Sequence, residues 1–349
     1  MTERKSHKEK RQLVRFLFLK LQPAWRSLDA AEQLEQKEEF VRTLKQFQGR
    51  LLLRPYSLMG TRGDCDLMLW QVAEDLETLQ AVETAIFSTR LGRYLETPYS
   101  YLGMTKRSIY EFPELDSGED RTIISPSDSR YLFVYPFVKK REWYSLPFEK
   151  RQQAMNQHVL IGRKYPSIRI NTTYSFGLDD QEFVVAFEGD DPAEFLDLVM
   201  ELRESEASAY TERDVPVFTC LQMSLAEALD TLGGASVPVA ELGTEGDGFV
   251  AVAKASELPP GASKRVYLGT EAVAVFNVGG NYYAVSDRCT HGRASLSEGR
   301  IVDCDSCILE CPWHGGRFDL KSGKPVAGPP VVALRTYRVK LRGDQILVG

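Results

Sequence analysis

Three things are scarce in this chain. No apolar run approaches the ~18–20 residues that a membrane-spanning helix needs, so no membrane partner is expected. A basic excess is missing too: 43 Lys and Arg stand against 49 Asp and Glu, a formal net charge of −6. That balance argues against nucleic acid as a partner. Histidine is scarce, with four in 349 residues, so an imidazole-ligated group has few places to be. The basic start, MTERKSHKEKRQ, is followed by no apolar signal core. A cytoplasmic protein with a frayed start is expected, and its length suits two or three domains of ~150 residues.

What is present concentrates near the C-terminus. Cys289-Thr-His291 and Cys311-Pro-Trp-His314 are separated by a stretch that reads as a hairpin. Two thiolates and two imidazoles fit a [2Fe–2S] cluster with cysteine on one iron and histidine on the other. Neutral imidazoles remove negative charge, so such a cluster takes an electron more readily than an all-cysteine one. Zinc held by two cysteines and two histidines is the alternative, but its spacings do not come with CPWHGG and trailing strands. The strings CTHGRASLSEG and CPWHGGRFDLKSG resemble a Rieske-type ferredoxin domain over 249–349. The resemblance implies Cys289 and Cys311 on the buried iron and His291 and His314 on the outer one. It also implies that Gly315 and Gly316 let backbone N–H groups approach the cluster sulfides. High-potential Rieske domains tie their two ligand loops by a disulfide, and Ala294 and Trp313 stand at those positions here. The lower end of the range is therefore implied, about −150 mV rather than +300 mV. An electron donor, a reductase or ferredoxin, is the implied protein partner.

Four cysteines remain. Cys304 and Cys307 form a Cys-x-x-Cys that is either a second metal or redox pair or the chemistry of a hairpin tip. Cys65 and Cys220 lie in strand-like runs and read as buried, inert thiols.

Residues 232–248, LGGASVPVAELGTEGDG, are rich in small residues and read as a linker. Upstream, residues 8–231 show one pattern twice. The first copy has a strand at 13–19, a helix at 28–47, a strand at 66–72, a helix from Asp75 to Arg90 and a strand at 99–102. The second has a strand at 130–138, a helix at 147–165, a strand at 182–188, a helix opened by Asp191 and a strand at 217–220. In that last helix Pro192 takes the first position and Glu194 completes a capping-box-like set. Strand–helix–hairpin–helix–strand, twice, is a pair of ferredoxin-like halves. The expected class is α+β: two antiparallel sheets packed face to face as a barrel, followed by an all-β domain.

His158 is the large domain's one histidine outside the start. It sits on a predicted amphipathic helix, with Met155, Val159 and Gly162 nearby, and is either a packed core residue or a ligand. FVYPFVKKREWY, LPFEKRQQAMNQHVLIGRKYP, NTTYSFGLDDQEFVVAFE and ELRESEASAY resemble the chlorite dismutase-like family of heme proteins and, within it, the coproheme decarboxylases. The resemblance covers essentially all of residues 8–231. It implies a dimeric α/β barrel-type domain, heme or coproheme as iron porphyrin, and a homo-oligomer, commonly a pentameric ring.

Residue by residue, the resemblance implies His158 as proximal iron ligand, with Glu206 bonded to its far ring nitrogen. A carboxylate there makes the imidazole more electron-donating. Arg203, Ser208 and Lys139 match positions that hold propionates. Trp143 matches a tryptophan close to the heme, or is a plain core aromatic. Tyr135, in FVYPF, matches the tyrosine whose radical takes hydrogen from a propionate β-carbon in coproheme decarboxylases.

Three departures stand out. Ile170 occupies the position that carries Arg in chlorite-decomposing members and Gln in many decarboxylases, so chlorite turnover is not expected. Phe137 replaces a Met. A fused Rieske domain is foreign to the usual decarboxylase. The implied activity is oxidative decarboxylation of iron-coproporphyrin III to heme b. A Rieske-fed heme monooxygenase or peroxidase, a weakly active chlorite dismutase-like protein, and a heme carrier or redox sensor remain as alternatives.

Overall fold

The computed structural model describes residues 11–111, 123–124, 126–127, 129–237, 249–268, 271–292, 294–303 and 306–349. Residues 8–10 of the expected first domain, most of the expected linker (238–248) and Cys304 lie outside the described residues.

The first half runs β1 (Leu13–Leu21), α1 (Ala30–Lys45), β2 (Leu52–Ser57), β3 (Leu67–Ala73), α2 (Leu76–Ser88) and β4 (Leu95–Met104). The second runs β5 (Tyr131–Lys139), α3 (Arg141–Ser145), α4 (Phe148–Gly162), β6 (Arg169–Tyr174), β7 (Phe183–Gly189), α5 (Pro192–Arg203), β8 (Thr211–Arg213), β9 (Phe218–Gln222) and α6 (Leu225–Asp230). Short acceptors start the helices. Asp29 caps α1 through Glu32 N–H, Asp75 caps α2 through Thr78 N–H, and Asp191 caps α5 through Ala193 N–H. Ser224 and Glu227 form a full capping box on α6. Glu194 does not cap α5; its carboxylate accepts the Ser167 hydroxyl.

The expected barrel forms, with one antiparallel sheet closed on itself in place of two separate facing sheets. Strand order is β7-β6-β4-β1-β3-β2-β9-β5, with β5 returning to β7 and β8 appended to β5. The halves join where β2 meets β9 and β4 meets β6. Each half's edge is thus paired with the other's, which leaves no free edge in the barrel.

Alternation then sorts side chains into lumen and outer face. On β3, Met68, Trp70 and Val72 join Phe16, Phe18, Leu52 and Phe218 in the lumen. Leu67, Leu69 and Ala73 face outward under α1 and α2. Cys65 and Cys220 are buried with the lumen set, as expected of inert thiols. Residues 232–237 depart from the linker expectation. Leu232 joins the core under α1, Val237 N–H donates to Asp230, and Lys37 Nζ donates to the Ala235 carbonyl.

The C-terminal domain is all β. Its strands are β10 (Val250–Lys254), β11 (Ser263–Leu268), β12 (Glu271–Val278), β13 (Asn281–Ser286), β14 (Arg300–Asp303), β15 (Ile308–Glu310), β16 (Arg317–Asp319), β17 (Pro325–Ala327), β18 (Thr336–Tyr337), β19 (Val339–Arg342) and β20 (Gln345–Val348). They form three small sheets, β10-β20-β19, β11-β12-β13-β18 and β14-β15-β16-β17. Tyr267 of β11 reaches across to the barrel, is buried among Val14, Ile124 and their neighbours, and accepts a bond from Gln12 Nε2 at 3.1 Å. Among the described residues no helix is long and apolar enough to cross a membrane.

Candidate active site and metal centre

The two ligand loops of the C-terminal domain lie side by side. The Cys289 and Cys311 thiols are buried and hydrogen-bonded to each other. The His291 and His314 rings are exposed, edge to face, with centroids 5.1 Å apart. The ligands thus come as a buried thiol pair and an outer imidazole pair, which suits two irons better than one tetrahedral ion.

The thiol pair shares its proton unequally. The bond from Cys311 holds Cys289 down to about 6, helped by the His291 and Gly292 amides. The same bond and burial push Cys311 up, against the Trp313 and His314 amides. These four N–H groups aim at the cysteine sulfurs. Gly315 turns the chain at φ +65° and donates to the Cys311 carbonyl. At Gly316 a Cβ would meet Pro330 Cδ at 2.5 Å, so its missing side chain admits the Pro329–Pro330 loop. Ala294 and Trp313 pack in the domain core without a disulfide. Beneath the Cys289 loop, Arg265 donates to Asp287 at 2.6 Å and both are buried. No motif announced that pair. Cys307 is buried at the β14–β15 tip with φ 57°.

The second site lies on the outer face of β5, β6 and β7. Tyr135 and Phe133 stand in register with Val185 and Phe187, and those two with Thr172 and Ile170. All six therefore share the helix-side face, and Arg169 points to the lumen, as alternation requires. α4 crosses this face but fully buries only Ala154. Ile170 is left 46% exposed.

Here His158 and Lys139 come together. His158 Nδ1 is buried with no hydrogen-bond partner. Burial foremost, and then the Lys139 charge, lower the imidazole pKa to about 4. Lys139 Nζ donates to the Ala207 carbonyl at 2.6 Å and sits 4.4 Å from the Trp143 ring centroid. Burial drops its pKa to about 8. A neutral, orphaned imidazole beside a buried ammonium fits an iron and the carboxylates of a porphyrin. Tyr135 stacks on Phe187 at 5.8 Å, and burial foremost, then Asp214, raises its phenol.

The other expected partners lie differently. Glu206 does not bond His158: it is exposed at the start of a 3-10 turn, and its amide donates to the Gln157 side chain at 3.4 Å. Arg203 is ion-paired with Asp214, a residue no motif singled out. Ser208 is half-buried, its N–H closing the same turn onto Ser205. Trp143 is a buried core aromatic against Tyr210 and Ala207 as well as a floor for Lys139.

The family profile "Chlorite dismutase" matches residues 32–223, more than half of the chain. The chain belongs to the chlorite dismutase family. A "Rieske [2Fe-2S] domain" profile matches residues 248–338 of this family member. It is 29% identical over 201 residues to a coproheme decarboxylase of Mycolicibacterium smegmatis, covering 56% of this chain and 84% of that one. Its Rieske domain is 39% identical over 100 residues to the biphenyl dioxygenase ferredoxin subunit of a Pseudomonas species, 29% of this chain and 90% of that one. Chlorite dismutase from Candidatus Nitrospira defluvii in complex with imidazole superposes with a TM-score of 0.58 at 26% identity, over 63% of this chain and 94% of that one. A heme-binding protein from Thermus thermophilus gives 0.54 at 26%, with the same coverage. This chlorite dismutase family chain therefore joins a heme-binding fold to a domain built for a [2Fe–2S] cluster.

Proposed function

We propose that this chain is a heme-dependent oxidoreductase that removes carboxyl groups oxidatively from iron-coproporphyrin III, with electrons delivered through its Rieske domain. The observation that carries the reading is the pairing of a neutral, unpartnered His158 with the buried ammonium of Lys139, on the face that presents Tyr135. Similarity to the M. smegmatis coproheme decarboxylase supports the same substrate class.

The bound iron supplies oxidising power when peroxide or O2 is present. The chain's residues do the rest. His158 offers a lone pair because burial keeps it unprotonated near neutral pH. Lys139 offers its charge to a propionate, a pairing that burial strengthens. Tyr135 stays protonated, so it can lose a proton and an electron together and then take a hydrogen atom from the propionate β-carbon. Each propionate, –CH2–CH2–COO−, becomes –CH=CH2 plus CO2 by losing one hydrogen atom and one further electron. One peroxide and one proton take up that loss as two waters. With O2 as oxidant, two electrons and two protons must first arrive, and a one-electron cluster delivers those electrons in two steps. Ile170 brings no polar group over the site, which disfavours chlorite chemistry.

The test is reconstitution with ferric coproheme, followed by peroxide, or by O2 with a reductant, and mass spectrometry of the porphyrin. Stepwise loss of two carboxyl groups, abolished in Tyr135→Phe, is expected. An unchanged or merely bleached porphyrin under both oxidants would reject the decarboxylase.

A further inference from the structure

Among the described residues, the barrel lumen holds a cation with no direct ion-pair or hydrogen-bond partner. Arg54 projects inward from β2 between Leu52 and Tyr56 and is 2% exposed. Its guanidinium makes no hydrogen bond or ion pair with the described residues, and Nε and Nη1 are buried without a partner. Its register partner across the ladder is Trp70, whose indole Nε1–H is also buried and unpartnered. The barrel's other buried charges are served. Lys37 has Asp230, Asp66 has Lys20, and Glu188 accepts from Ser127 and Asn171. Lys139 has the Ala207 carbonyl, and Glu182 accepts from Tyr144.

A guanidinium cannot relieve its burial by losing a proton, and an uncompensated charge in an apolar interior is strongly unfavourable. The donors point to what is missing. One fixed positive charge calls for one negative charge. Donors from both a guanidinium and an indole call for a ligand that only accepts. A lumen already filled by Phe16, Phe18, Met68 and Phe218 restricts such a ligand to something compact. We propose that Arg54 and Trp70 form a lumenal binding site for a small monovalent anion, a halide or a small oxyanion. The site lies on the opposite sheet face from His158 and is independent of the porphyrin.

The test uses the full-length protein, exchanged into a buffer whose only anion is a bulky sulfonate. Sodium bromide and sodium nitrate are titrated at constant ionic strength while thermal midpoint is followed. A crystal grown with bromide is examined for anomalous scattering. A saturable rise of about 2–4 °C is expected, with one bromide peak between Arg54 and Trp70. Arg54→Met should abolish the saturation. Trp70→Phe, which removes one donor and little volume, should raise the half-saturating concentration roughly tenfold. Whichever anion saturates first distinguishes a halide from an oxyanion site. Responses that never saturate and are the same in Trp70→Phe, with only water beside Arg54, would overturn the proposal. Should Arg54→Met fail to fold, the wild-type titration, the bromide map and Trp70→Phe still decide it.

Discussion

Behind β1 and β3, helices α1 and α2 close on the sheet with Phe40, Val41, Leu44, Leu79, Val82 and Ile86, all buried against Leu17, Leu19 and Leu69. Behind β5 and β7, α5 contributes Phe195, Leu198 and Leu202, but α4 contributes Ala154 as its one fully buried residue. The strand and helix order is the same in both halves. The difference is what α4 presents: Gln152, Asn156, Gln157 and His158 along much of its length. Topology therefore does not decide how tightly a half is packed. Withholding apolar side chains from one helix leaves its layer less closely packed than the other.

That contrast can be broken in three places. The largest effect belongs to the filled half. Leu17→Ala removes a fully buried side chain beneath α1 and should destabilise the fold by about 2–5 kcal/mol in chemical denaturation. A cost below about 1 kcal/mol would mean that this half is as loosely filled as its partner.

Next is pH. The folded His158 value, about 4, lies below the ordinary imidazole value. The unfolded chain thus binds more protons between roughly pH 6.5 and 4, and stability falls as pH falls through that window. In the porphyrin-free protein His158→Phe should remove on the order of 2 kcal/mol of that acid-side loss, measured as denaturation midpoints at about pH 7 and about pH 4.5. An identical acid slope in the variant would place His158 in solvent.

The smallest effect is Leu160→Ala on the exposed side of α4, which should change stability by no more than about 0.5 kcal/mol. A larger change would make α4 an ordinary core helix.

The sequence announced some of this and hid the rest, for physical reasons. The cluster ligands were legible because each pair lies within four residues and only cysteine and histidine serve. The doubled strand–helix pattern was legible because its periodicities are local. A barrel was expected, but not its closure by one continuous sheet, since that rests on β2 meeting β9 and β4 meeting β6, contacts between distant segments. The glycine-rich stretch after α6 suggested a loose linker, yet Leu232 and Val237 bury themselves, because composition reports flexibility and not whether apolar surface lies within reach. Glu206 was placed beside His158 by motif alone, while the 3-10 turn that carries it points it outward. Arg54 left no mark, since one arginine in the strand LLRPYS reads as a solvent-facing residue until the sheet closes around it.

Tyr267 is a small feature with a kinetic consequence. A ferredoxin that travels must find its acceptor at every turnover, and the rate then depends on how much of each is present. With its tyrosine seated among barrel residues and bonded to Gln12, this domain's position relative to the barrel is set when the chain folds. Any electron passing between the cluster and its own barrel would do so at a rate indifferent to dilution, governed by a distance written into the polypeptide rather than by encounter.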